Sequence, residues 1–107
     1  MLNLTGQNVA ILGAGRSGLA AANLASRCGA SVTVYDSRGP EVFAAFPAGI
    51  TTHPGASSDT GAATLSDLVI VSPGIETKGE FVQSFAINSG ALWGEIELAW
   101  RCFSGKT

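Results

Sequence analysis

Residues 8–19 have the sequence NVAILGAGRSGL, and residues 32–36 have the sequence VTVYD. An apolar run that ends in glycines, followed by a small-residue segment and a second apolar run, predicts a strand, a tight turn, a helix and another strand. Each glycine has a separate expected role: Gly13 allows the turn, Gly15 lets backbone amides approach a diphosphate, and Gly18 lets the helix pack closely on the sheet. The pattern therefore predicts a βαβ unit of the kind that binds nucleotides.

An acidic residue closes this unit at the carboxyl end of the second strand. In that position Asp36 is expected to accept hydrogen bonds from a sugar hydroxyl or from a base N–H. The alternative is that the glycines serve only helix–sheet packing and that Asp36 is a solvated strand end. The glycine motif lies between two predicted strands, and an acidic residue follows the second strand, so ligand binding is the favoured interpretation. Two interpretations of Arg38 remain open, because its side chain either approaches the ligand or pairs with a surface acid.

The composition predicts an α/β fold. The chain has 107 residues, of which 46% are hydrophobic and only 13% are charged. Strands in such a chain are expected to be buried on both faces, as they are in parallel sheets. We therefore predict one Rossmann-like three-layer domain over residues 1–107, with a mostly parallel sheet of about five strands.

Charge, apolar runs and cysteines limit the expected partners. The formal net charge is -2 with no basic run, so nucleic acid is not an expected partner. The chain shows neither a signal-peptide pattern nor an apolar run of membrane-spanning length, which favours the cytoplasm and no membrane contact. Cys28 and Cys102 lie far apart in the sequence without metal-ligand spacing, so reduced thiols are expected rather than a disulfide or a metal site.

Hydrophobic periodicity and turn residues predict the remaining elements. The last helix is expected to bury a stripe made of Ile96, Ala99, Trp100 and Phe103. Strands are predicted at residues 9–12, 31–35, 50–53 and 67–71, with a further apolar run at 91–93. Helices are predicted at residues 17–28, 40–46, 56–64 and 78–88 and from residue 94 onward.

A second loop is expected beside the glycine turn. Ser72, Pro73 and Gly74 end the strand at 67–71 with a turn at the carboxyl edge of the sheet, where α/β domains hold ligands. Glu95 and Glu97 are interpreted as favourable charges in the first turn of the last helix, because residues two apart on a helix point in different directions. No catalytic residue and no metal ligand is predicted in this chain.

Three segments together resemble a known family. They are GAGRSGL at residues 13–19, Asp36-Ser37-Arg38, and the turn at residues 72–75 combined with GEIEL at residues 94–98. Their order and separation are similar to those of the N-terminal domain of the Mur ligases, and in particular to the branch that adds D-glutamate to UDP-N-acetylmuramoyl-L-alanine. The resemblance covers essentially the whole chain.

The resemblance implies a division of labour between domains. This domain would hold the UDP end of UDP-N-acetylmuramoyl-L-alanine and would need no cofactor itself. A central ATPase domain with ATP and magnesium and a C-terminal domain, neither of them in these 107 residues, would supply the chemistry. In that family ATP phosphorylates the substrate carboxylate, and the amine of D-glutamate attacks the acyl phosphate to give an amide.

The resemblance also implies where the substrate lies. Asp36 and Ser37 would hydrogen-bond the uracil, with Arg38 beside them. The loop at Gly15, Arg16 and Ser17 would meet uracil and diphosphate, and the turn at residues 72–74 would line the other wall. Arg16 departs from the apolar residue expected at its position, so guanidinium stacking or a phosphate contact would replace an apolar contact to the uracil.

Two other functions compete with this one. The first is an NAD-binding domain of a dehydrogenase or of a regulatory sensor, in which Asp36 takes the adenine ribose hydroxyls. The second is a stand-alone binding module. A P-loop at Ser104-Gly105-Lys106-Thr107 is rejected, because Trp100 occupies the place of its first glycine.

Overall fold

Five strands form a single sheet at the centre of the domain, and every pair of neighbouring strands is parallel. The structure is a computed structural model that describes residues 2–104, so the last three residues of the rejected P-loop segment lie outside the described part. The strand order is β3-β2-β1-β4-β5. The strands are β1 (Asn8–Leu12), β2 (Ser31–Tyr35), β3 (Thr51–His53), β4 (Leu68–Val71) and β5 (Leu92–Gly94).

Helices cover both faces of this sheet, which confirms the predicted Rossmann-like three-layer α/β fold. They are α1 (Arg16–Arg27), a 3₁₀ helix (Pro40–Phe43), α2 (Ser58–Ala62), α3 (Glu80–Ala86) and α4 (Glu95–Ser104). Ser57 is the N-cap residue of α2, and its backbone N–H donates to Thr60 Oγ1 at 3.0 Å. None of the helices within residues 2–104 is both long and apolar enough to cross a bilayer.

Alternation along the strands divides the core between the two faces. In β1, Val9 and Ile11 belong to the cluster with α1 and α4, whereas Ala10 and Leu12 belong to the cluster with α3. This period of two, with both faces apolar, is the pattern of a parallel sheet covered on both sides. Phe85 of α3 is completely buried on the second face.

The strand order creates a crevice between β1 and β4. From β1 the chain moves in one direction to β2 and β3, and it later returns to the other side of β1 to form β4 and β5. Connections after β1 and β4 therefore leave on opposite faces and open a gap at the carboxyl ends of these strands. The glycine turn after β1 and the turn after β4 both border this gap.

Three of the four residues predicted for the buried stripe of α4 are exposed, and only Ala99 packs partly buried against the core. Ile96, Trp100 and Phe103 are 82%, 55% and 74% exposed, whereas Leu98 and Cys102 are buried. Two apolar stripes run along this helix in the sequence, and periodicity alone does not say which one meets the sheet. In the structure, Leu98 and Cys102 face the core together with the alanines of α1.

Candidate functional site

A pocket of about 750 Å³ lies at the crevice between β1 and β4. Its volume falls within the range of small-molecule binding sites. The predicted site residues Gly15, Ser17, Asp36, Ser37, Arg38, Ser72, Pro73 and Gly74 all line it. Arg16 is the exception, because it is exposed at the start of α1 and does not line the pocket.

The glycine turn shapes one wall of the pocket. Gly13 has a φ of +110°, which favours glycine, and its N–H donates to the Tyr35 carbonyl at 2.8 Å. A Cβ at Gly18 would overlap the Gly13 carbonyl oxygen, so only glycine allows α1 to approach the turn this closely. The packing role predicted for Gly18 is therefore confirmed.

Gly15 has a different environment. It is the N-cap residue of α1 with a φ of −73°, and a Cβ there would meet nothing within 4 Å. Its open side faces the pocket, and no acidic residue lies in the first turn of α1. The free N–H groups of that turn and the positive end of the helix dipole favour an anion beside Gly15.

Asp36 is buried and carries four hydrogen bonds. Its Oδ1 accepts from the backbone N–H of Arg38 at 2.9 Å and from Arg38 Nε at 3.0 Å. Its Oδ2 accepts from the backbone N–H of Ala14 at 2.9 Å and from Arg38 Nη2 at 2.8 Å. The carboxylate thus ties the glycine turn to the loop after β2, and only 6% of the residue is exposed. It is not a solvated strand end.

These bonds determine the charge at this side of the pocket. The pKa of Asp36 is lowered to about 2, mainly by the bonds to the Arg38 side chain and also by backbone N–H groups, while burial opposes them. Asp36 in turn raises the pKa of Arg38 above its ordinary value. The pocket therefore contains a carboxylate that is ionised at neutral pH and capped by an exposed guanidinium. Of the two interpretations of Arg38, pairing is shown, although its partner is buried rather than on the surface.

On the opposite wall, the hydroxyl group of Ser72 is held by a residue that does not itself line the pocket. Ser72 is 8% exposed, and its hydroxyl donates to Glu95 Oε2 at 2.7 Å. Glu95 was interpreted only as a charge in the first turn of α4, but it also orients a hydroxyl of the pocket wall. The available signal was the pairing of the Ser72 turn with GEIEL in the family resemblance. While this bond holds, the Ser72 proton is not free for a ligand.

No sequence motif predicted the third wall of the pocket. Ala56, Ser57 and Ser58, with Glu80 and Phe81 from the start of α3, complete the pocket. The Ser58 hydroxyl donates to Glu80 Oε1 at 3.1 Å, which joins α2 to α3 at the rim. These residues belong to no motif and reach the site only because α2 and α3 pack against each other.

The groups around the pocket are suited to binding. The lining combines hydroxyl groups and the Asp36–Arg38 ion pair with the Glu80 carboxylate and with apolar side chains such as Ile75 and Phe81. Within residues 2–104, no three His, Cys, Asp or Glu side chains are grouped so as to hold a metal ion.

Comparison with known proteins identifies relatives over nearly the whole chain. Residues 7–92 match the family model described as "Mur ligase MurD-like, N-terminal domain". A UDP-N-acetylmuramoylalanine--D-glutamate ligase of Anaeromyxobacter dehalogenans is 40% identical over 95% of this chain and 23% of its own length. The proteins of the same name from Myxococcus xanthus and Acidobacterium capsulatum are 36% and 39% identical over 97% and 99% of this chain. The chain spans about a quarter of the length of these curated relatives.

Proposed function

The chain belongs to the family of MurD-like N-terminal domains of Mur ligases, and on that basis we propose that its pocket binds the UDP end of UDP-N-acetylmuramoyl-L-alanine. The observation that carries the proposal is the convergence of three segments on one cavity. The glycine turn, the Asp36–Arg38 loop and the Ser72–Gly74 turn are far apart in the sequence, yet all of them line it.

The diphosphate is expected beside Gly15 and Ser17. This wall combines free amides, a helix N-terminus and a hydroxyl, and Gly15 carries no side chain that would keep a phosphate away. Arg38 also lines the pocket, but its guanidinium is paired with the Asp36 carboxylate. The diphosphate therefore meets backbone and hydroxyl donors and the positive end of the helix dipole at the start of α1.

The uracil is expected at the loop after β2. A uracil ring presents two carbonyl acceptors and one N–H donor, and the exposed Ser37 hydroxyl and Arg38 guanidinium supply matching donors. A base N–H reaches Asp36 only by taking the place of one of the Arg38 bonds, since both carboxylate oxygens already accept two hydrogen bonds. Arg16 would contact the ligand from outside the pocket rim.

The parent protein is proposed to be an ATP-dependent ligase of peptidoglycan precursor synthesis in the cytoplasm. The relatives' name supplies D-glutamate as the amino acid added. ATP and magnesium would act in the other domains of such a protein. There the substrate carboxylate would take the γ-phosphoryl group, and the D-glutamate amine would displace phosphate to form the amide. This chain's residues would position the substrate by its UDP end.

A ligand titration tests the binding proposal. We expect UDP to shift backbone amide NMR signals of residues 13–18, 36–38 and 72–74, with weak affinity because contacts from other domains are missing. UMP should bind more weakly than UDP if the diphosphate meets the start of α1. NAD is the comparison ligand for the dehydrogenase interpretation. Tight binding of NAD with no response to UDP would overturn the proposal.

A further inference from the structure

Two buried cysteines meet on the side of the domain away from the pocket. Cys28 lies at the C-terminal end of α1, and Cys102 lies near the end of α4. They are 74 positions apart in the sequence, yet their Sγ atoms are 3.4 Å apart, and the residues are 6% and 3% exposed. Both are free thiols, and neither lines the nucleotide pocket.

The geometry brings these thiols close to bonding distance. A disulfide holds its sulfurs about 2.0 Å apart, so the two Sγ atoms need to approach by about 1.4 Å. The contact joins two helices that pack on the same face of the sheet. We propose that Cys28 and Cys102 are an oxidisable dithiol, which a small peroxide converts into a disulfide that fastens α4 to α1.

The reaction balances with hydrogen peroxide as the oxidant. The Cys28 thiolate attacks one peroxide oxygen, the S–O bond forms as the O–O bond breaks, and hydroxide leaves and takes up a proton to become water. The Cys102 sulfur then attacks the sulfenic acid, so that the S–S bond forms and a second water leaves. In total, two thiols and one peroxide give one disulfide and two waters.

Burial determines which reagents reach the pair and how fast they react. A peroxide is small enough to approach a nearly buried sulfur, whereas a bulky thiol reagent is not. Burial raises the pKa of Cys102 to about 11, with its Cys28 contact adding to the effect, so Cys102 is a poor first nucleophile and is assigned the resolving role.

The disulfide would stabilise the packing of α4 on the domain, because few side chains of this helix are buried. Leu98 and Cys102 are the fully buried side chains among the described residues of α4, and Glu95 adds its bond to Ser72 at the other end. A disulfide would close a loop of 74 positions and remove chain entropy from the unfolded state. We expect the thermal midpoint to rise by roughly 5–15 °C.

The experiment uses the purified chain with excess hydrogen peroxide, followed by intact mass, thiol titration in denaturant and peptide mapping without reductant. We expect no titratable thiols, a linked pair of peptides containing Cys28 and Cys102 that together have lost two hydrogen atoms, and a higher thermal midpoint that reductant reverses. Cys102→Ser is the matched control, in which Cys28 should gain oxygen and no linkage should form.

Several results would overturn the proposal. They are two thiols that remain titratable after exposure, oxygen addition without linkage in the wild-type chain, or a linkage between two copies on a non-reducing gel. The mapped linkage in the wild-type chain decides the matter even if the serine variant folds poorly. The oxidation experiment does not measure UDP binding, so the result of this experiment is independent of the proposed function.

Discussion

Replacing Asp36 by asparagine tests the role of the buried carboxylate in holding the site together. Asp36→Asn keeps the shape of the side chain but removes its charge, and an N–H of the introduced amide would face a backbone or guanidinium donor. The pKa of Asp36 is lowered from 3.8 to about 2, mainly by its bonds to the Arg38 side chain. Each unit in pKa corresponds to about 1.4 kcal/mol, so the upper bound is about 2.5 kcal/mol.

The effective contribution to the free energy of unfolding is smaller than this bound. Arg38 is largely exposed, and water screens its interaction with the carboxylate, so we expect about 1–2 kcal/mol. The folded pKa lies below the unfolded one, so this stabilisation is complete above the unfolded pKa. It is lost as the pH falls from about 5 towards 2, where the carboxylate takes up a proton.

Urea unfolding at pH 7 and at pH 2.5 measures this effect. The wild-type chain should lose more stability between these pH values than Asp36→Asn, by about two thirds of the 1–2 kcal/mol given above, because pH 2.5 still lies above the folded pKa of Asp36. Glu97→Gln is a suitable control, because Glu97 pairs with Arg101 at 2.9 Å on the partly exposed surface of α4. That pair should contribute about 0.5 kcal/mol or less. An equal acid dependence of Asp36→Asn and the wild-type chain would refute the reasoning.

Gly15→Val should remain folded, because the added Cβ has open space. It should lower UDP affinity at least about tenfold, because its branched side chain would occupy the place proposed for the phosphate beside the α1 amides. Gly18→Val, the matched variant, should instead lose more than about 3 kcal/mol of stability in thermal or urea unfolding, because its Cβ overlaps a backbone carbonyl that has no room to move. Normal UDP binding by a folded Gly15→Val would remove the phosphate site from the glycine turn. The chain alone should not hydrolyse ATP in a phosphate-release assay, since its pocket contains no lysine and no set of carboxylates for magnesium. ATP hydrolysis that a substitution in this chain abolishes would contradict the prediction.

Most of the framework was predictable because its signals are local. An apolar run between glycines specifies β1 and its turn, and alternating β-branched residues specify β2. The Ser-Pro-Gly turn after β4 was placed correctly for the same reason. Parallel strands separated by helices then require the carboxyl ends to meet at one edge, which brings the predicted loops to one pocket.

What the local patterns left open was the pairing of side chains. The sequence favoured a contact between Asp36 and a ligand, but the structure shows its carboxylate engaged by Arg38 and Ala14. Arg16 belongs to the motif, yet it lies outside the pocket because the first turn of α1 points its side chain to solvent. Motif membership determines a residue's position in the chain and not the direction of its side chain.

The sequence by itself determined the order of strands and helices, the glycine turn and the edge of the sheet at which the predicted loops meet, because these depend on residues that are neighbours in the chain. Only the tertiary structure decided the contact of Ser72 with Glu95, the meeting of Cys28 with Cys102 and the buried face of α4. These contacts join residues 23 and 74 positions apart. They arise when whole elements pack, and packing depends on the combined shape of many side chains rather than on any periodicity.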